Sequence, residues 1–154
     1  MKRFFLLTFL CLSPLLCDEI QVSAQELSAD ETSKLTHLKG DVRIKRLEDR
    51  LHADEMFIYF NKQNRPEKME AKNNVQFWLT LKDSRKIEGS ADTLIYFPQK
   101  EEYQLIGKAF VKEPAKKNEV RGDKIIIEQK KGAINVLGDT KKPAVLIFEL
   151  EKEK

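Results

Sequence analysis

Cysteine is nearly absent from this chain. Its 154 residues hold two, Cys11 and Cys17, both close to the N-terminus. If that region is a removed leader, the remaining chain has none. A disulfide framework, a thiol nucleophile and a cysteine metal site are then excluded. Histidine is also scarce: His37 and His52 stand outside any H-x-x-x-H or H-x-E arrangement, so no metal site is expected and both read as satisfied or surface residues. The chain lacks a G-x-S-x-G, a P-loop and a G-x-G-x-x-G, so neither a nucleotide cofactor nor an enzyme is expected. The acid pairs Asp30-Glu31 and Asp54-Glu55 are chain neighbours, which point to opposite faces of a strand and cannot act as a dyad. With 6 Gly and 5 Pro there is no low-complexity run, and the composition suits a folded domain. The net charge of +3 is spread along the chain without an arginine cluster or basic helix, which argues against a nucleic-acid partner.

Long apolar runs are missing too. Phe4 to Cys17 is the most apolar stretch, and its fourteen residues fall short of the ~20 that a membrane span takes. Behind Met1-Lys2-Arg3 it reads as a secretory leader, with Val22-Ser23-Ala24 as the cleavage site. The expected organisation is a leader over 1–24, one domain over 25–150 and a charged tail, Glu-Lys-Glu-Lys, over 151–154. The rival is a lipoprotein signal with Cys17 modified, against which Leu16 counts. Export without a later apolar span predicts the periplasm of a diderm bacterium.

What the chain does have is a repeat. Thr36-x-Leu38-x-Gly40-x-Val42-x-Ile44 returns as Met69-x-Ala71-x-Asn73-x-Val75-x-Phe77, then as Tyr103-x-Leu105-x-Gly107-x-Ala109-x-Val111. A degenerate fourth copy is Ile134-x-Val136-x-Gly138-x-Thr140. The central Gly or Asn positions are 33, 34 and 31 residues apart. Strict alternation marks strands with one apolar and one wet face. A period of this length marks stacked units that cannot bury their apolar face alone. Between the copies lies a second element, begun as Ala29-Asp30-Glu31 without its apolar residues and returning as Ala53-Asp54-Glu55-Met56-Phe57-Ile58, Ala91-Asp92-Thr93-Leu94-Ile95-Tyr96 and Gly122-Asp123-Lys124-Ile125-Ile126-Ile127, whose Asp reads as a turn or strand-entry residue.

Turn signals such as Asn61 to Pro66 and Lys82-Asp83-Ser84-Arg85 break the chain often. No convincing helix remains after residue 25. The prediction is an all-β, open, twisted antiparallel stack of about 12–16 short strands. The register runs unbroken across each Gly or Asn, so the strands are expected to bend there, folding the ribbon into a V-shaped trough.

One face of that stack is apolar. The first copy gives it Leu38, Val42 and Ile44, the second Met69, Val75 and Phe77, the third Leu105 and Val111, the fourth Val136. The second element adds Met56, Ile58, Leu94, Tyr96, Ile125 and Ile127. A packed core is the plain reading. A trough left partly open for a lipid is the other, because burying each methylene gains ~0.8 kcal/mol with no polar motif. The closing segment, Lys142 to Leu150, is apolar on both faces. Val145, Ile147 and Phe148 are candidates for an edge that pairs with another chain; inward packing is the alternative.

The series Gly40-Asp41-Val42-Arg43-Ile44, Leu51-His52-Ala53-Asp54-Glu55-Met56, Met69 to Val75, Ile87-Glu88-Gly89-Ser90-Ala91-Asp92 and Leu105-Ile106-Gly107-Lys108-Ala109 resembles the LptA/OstA family of lipopolysaccharide-transport proteins. The likeness covers about residues 25 to 150. It implies an open β-jelly roll whose apolar groove takes lipid A acyl chains. It also implies head-to-tail homo-oligomers that bridge inner and outer membranes. Its partners would be an inner-membrane anchored transport component and the N-terminal domain of an outer-membrane translocon. The competing class is a structural or adhesive β-repeat protein without a lipid ligand.

Overall fold

A computed structural model describes residues 19–150. The leader's first eighteen residues, with Cys11 and Cys17, and the 151–154 tail lie outside the described residues. Among the described residues ten strands form one antiparallel sheet: β1 (Gln21–Ser23), β2 (Glu26–Asp30), β3 (Leu35–Arg46), β4 (Asp49–Phe60), β5 (Pro66–Thr80), β6 (Lys86–Phe97), β7 (Glu102–Glu113), β8 (Asn118–Glu128), β9 (Ala133–Leu137) and β10 (Val145–Ile147). There is no helix among the described residues.

The strands number ten, fewer than the dozen or more expected, because the six central ones run for 11 to 15 residues each. They bend and do not break. The register slips at the same place in every pair, between Lys39 and Val42, His52 and Glu55, Lys72 and Val75, Ser90 and Thr93, and Ile106 and Ala109. The odd strands carry two successive left-handed residues there: Gly40-Asp41, Asn73-Asn74 and Gly107-Lys108, with φ between 43° and 80°. Glycine and asparagine hold that conformation at least cost. Two residues on the odd strand thus oppose one on the even strand, which sharpens twist and bend.

The single opposing residue is Asp54, Asp92 or Asp123. These aspartates lie mid-strand at the bend, not at a turn as their spacing suggested. Asn74 Nδ2 donates to Asp54 Oδ2 at 2.8 Å, and the Asp92 carboxylate lies where a side chain on Gly107 would sit. Asp30 alone keeps the turn role, accepting from the backbone N–H of Thr32 at 2.8 Å and Ser33 at 3.3 Å.

Each bend splits a strand between two walls. The first wall holds β2, the N-terminal halves of β3, β5 and β7, the C-terminal halves of β4, β6 and β8, and β9. The second holds β1, the complementary halves, and β10. β1 and β2 both pair with β3, on either side of its bend, so together they make one interrupted ribbon. β9 and β10 do the same along β8. In the degenerate fourth copy the bend is replaced by an excursion, closed where the Asp139 carboxylate accepts from the N–H groups of Lys141 and Lys142. The described residues therefore make eight ribbons around one line of bends. Residues 21–23, inside the segment assigned to the leader, form the first half of the first ribbon.

Candidate functional site

Alternation decides what lines the space between the walls. Residues paired across strands share a face, so each inward position recurs across the sheet. Leu38, Met56, Ala71, Leu94, Leu105, Ile125 and Val136 make one such row on the first wall. Ile44, Leu51, Phe77, Gly89, Val111 and Val120 make another on the second.

The fifteen residues assigned to the inner face all lie between the walls. Leu38, Val42, Met56, Val75, Phe77, Leu94, Leu105, Val111, Ile125 and Ile127 are buried. Ile44, Ile58, Met69, Tyr96 and Val136 are partly buried and pack against them. Tyr103, which opens the third copy, is buried as well. The pattern missed Leu51, Leu79, Leu81 and Ile87, which are also buried. They sit beyond the ends of the repeat, where the same alternation continues toward the turns. Among the described residues no polar or charged residue is buried.

The interior is not uniformly open. Near β1 a cavity of about 120 Å³ lies between Val22, Ile44, Leu51 and Leu79 of one wall and Met56, Ile58, Met69, Leu94, Tyr96 and Tyr103 of the other, with Arg46, Asp49 and Arg50 at its rim. Near β10 a larger space of about 400 Å³ opens among Ile87, Val111, Val120, Ile134, Val136 and Leu146. Between them Phe77, Leu105 and Ile125 pack with no exposed surface. The trough is open at both ends and shut at its waist. The smaller cavity is below the ~300 Å³ of an ordinary ligand pocket.

Burial perturbs the two phenols that line the smaller cavity. Tyr96 and Tyr103 stack at 4.4 Å. Burial pushes the Tyr103 hydroxyl far above the ordinary tyrosine range, and burial raises Tyr96 as well. The histidines sit outside the trough. His37 Nε2 lies 2.6 Å from Glu55 Oε1, with its ring stacked on Phe57, and His52 meets Trp78 edge-on.

The three residues assigned to an assembly edge fall at the end of the sheet. Val145 and Ile147 flank Leu146 on β10, and Phe148 follows it; all are exposed. β10 is only three residues long, shorter than the apolar run that announced it. The opposite edge, β1 and β2, exposes Val22 and Leu27.

Comparison with known proteins agrees with this architecture. Residues 21–133 match the family described as LptA/(LptD N-terminal domain) LPS transport protein. No curated protein matches the chain. Among solved structures it is similar to LptH, the LptA homologous periplasmic component of the conserved lipopolysaccharide transport device from Pseudomonas aeruginosa. The TM-score is 0.74 at 16% identity, over 86% of this chain and 96% of that one. At that identity the likeness shows the shared fold.

Proposed function

From the premise that the chain belongs to the LptA/LptD N-terminal domain family of lipopolysaccharide-transport proteins, we propose that its trough carries lipopolysaccharide across the periplasm, acyl chains inside and polar headgroup at the mouth. The observation that carries this is an interior with no buried polar or charged residue among the described residues, open at both ends of the stack. A chain sliding along such a surface meets few polar groups, chiefly the Tyr96 and Tyr103 hydroxyls and the charges at the rim, and each methylene it buries gains ~0.8 kcal/mol. The groove residues are those of the inner face, from Leu38 near the first ribbon to Val136 near the last. Export begins with a leader within residues 1–24.

The ribbon count supports a head-to-tail assembly. Eight ribbons alternate in direction, so the last, β9 with β10, runs opposite to the first, β1 with β2. Placing the last edge of one copy beside the first edge of the next keeps the antiparallel order. Exposed Leu146, Ile147 and Phe148 at one end and Val22 and Leu27 at the other give both edges apolar surface to cover. The contact is heterologous and propagates as a filament. Similar edges on an inner-membrane anchored component and on an outer-membrane translocon domain complete the bridge.

A photo-crosslinker at inward Ile58 or Phe77 is expected to capture lipopolysaccharide in cells, and one at outward Gln76 or Lys124 is not. Equal labelling at inward and outward sites rejects the groove.

A further inference from the structure

The two walls share a line of bends, yet they also touch at the opposite, open side. Among the described residues, two side-chain polar contacts cross from wall to wall there, and both come from one turn. The β5–β6 turn, residues 81–85, stands at the tip of the second wall. Lys82 Nζ donates to Glu101 Oε2 in the β6–β7 turn of the first wall. Arg85 Nη2 donates to the carbonyl of Gly132 in the β8–β9 turn at 3.3 Å.

The turn is built to present those groups. Leu81 N–H donates to Arg85 O at 2.8 Å and Ser84 N–H to Leu81 O at 2.9 Å, with Ser84 left-handed at φ 68°. Asp83 Oδ2 accepts from Arg85 Nε at 2.7 Å, which fixes the guanidinium toward Gly132. Glu101 is steadied in turn, as Gln129 N–H donates to its backbone carbonyl at 3.1 Å. The side chain of Leu81 is buried beneath the turn, only 5% exposed. Behind it lies the packed waist, where the side chains of Phe77 and Ile127 are fully buried.

We propose that the β5–β6 turn is a latch over the trough: Lys82 and Arg85 hold the walls together at the waist, and an acyl-bearing lipid passes only when those contacts release. This rests on the lipid-carrying reading above and adds the element that controls it. The latch is weak by construction. Both its cations are at least partly exposed, the Lys82–Glu101 pair at 57% and 28%, and exposed ion pairs stabilise little. A lipid that gains free energy from each methylene it buries can therefore open it. The closed state lowers apparent affinity by the fraction of molecules that are competent to bind, so loosening the latch speeds loading.

The test uses the exported full chain. Two spin labels, at Lys86→Cys on the second wall and Lys100→Cys on the first, report the separation of the walls without any ligand. With K82A and R85A combined, the distance distribution is expected to broaden to longer values. In unlabelled protein the same pair of substitutions is expected to raise the initial rate of lipopolysaccharide loading about two- to ten-fold. A Lys82→Cys, Glu101→Cys variant joined by a reducible bis-thiol linker is expected to lose loading and regain it on reduction. An unchanged distance distribution in K82A/R85A overturns the latch whatever the ligand does. Equal loading by the joined and reduced forms also overturns it. Movement of the walls with no lipopolysaccharide uptake by any form, the unsubstituted chain included, overturns the lipid reading and leaves the wall contact standing.

Discussion

Replacing Phe77 by alanine tests whether the waist of the trough is a packed core in the unloaded protein. The ring has no exposed surface and lies opposite Gly89, where even a built Cβ would stand 2.7 Å from Phe77 Cζ. Gly89 has no side chain to move into the hole, and Leu51 on the other side is already buried against its own neighbours. A buried Phe→Ala change costs ~3–5 kcal/mol, more where the site cannot collapse. The upper half of that range, about 4 kcal/mol, applies here. Against a total stability of ~5–15 kcal/mol the variant is expected to fold but with little reserve. Its Tm should fall by roughly 10–20 °C at about 3–5 °C per kcal/mol for a domain of this size. Urea unfolding followed by Trp78, the chain's single tryptophan and Phe77's neighbour in sequence, reports the loss directly. Lipopolysaccharide that fills the hole should restore part of it by stabilising the folded state alone. A loss below about 1.5 kcal/mol refutes the packed waist.

Four other outcomes are expected. Gly107→Ala puts a side chain at φ +78° with its Cβ 2.6 Å from the Asp92 carboxylate, and should cost ~1–3 kcal/mol by denaturant titration. Because the Tyr103 hydroxyl is raised by burial, the unfolded chain releases that proton first. Stability is therefore complete below the ordinary tyrosine range near pH 10 and falls as pH rises beyond it, more steeply than in Tyr103→Phe. Removing residues 143–154 should abolish concentration-dependent self-association in sedimentation while the remaining trough still binds lipid; persistence of the same oligomers places the contact elsewhere. Cleavage at Val22-Ser23-Ala24 would remove β1, so the intact mass of exported protein should instead correspond to an unlipidated chain cut ahead of Gln21, which keeps the pairing of Gln21–Ser23 with β3; a chain beginning at Gln25 restores the Ala24 site, and a diacylglyceryl Cys17 would reverse the reading of the leader.

The repeat carried most of the architecture because its period is the period of the structure. Positions alternating through Leu38, Val42 and Ile44 point inward along a strand, and the same positions recur about 33 residues on because each unit adds two ribbons. The bends were legible in Gly40, Asn73 and Gly107 for the reason that makes them possible: left-handed backbone selects those residue types. Asp54, Asp92 and Asp123 were misread because an Asp beside a small residue carries the same local signal at a turn as opposite a bulge. Only the pairing distinguishes them. Leu79, Leu81 and Ile87 escaped because they lie outside the repeated motif, although they keep its alternation. Nothing in Lys82-Asp83-Ser84-Arg85 beyond a turn was visible. Its partners, Glu101 and Gly132, are brought near by the folding of the V and not by any spacing along the chain.

The single line of bends makes the domain a ruler. Its long axis runs across the strands, so eight ribbons leave seven gaps, and at ~4.8 Å per gap the path is about 34 Å long. Reach is thus counted in hairpins. One more unit of the repeat would lengthen the path by about 10 Å and leave every existing pair untouched. A single residue inserted within a strand would instead turn half of it inside out. Growth of such a domain is confined to whole steps, and the length of its trough is set by how many of those steps its gene contains.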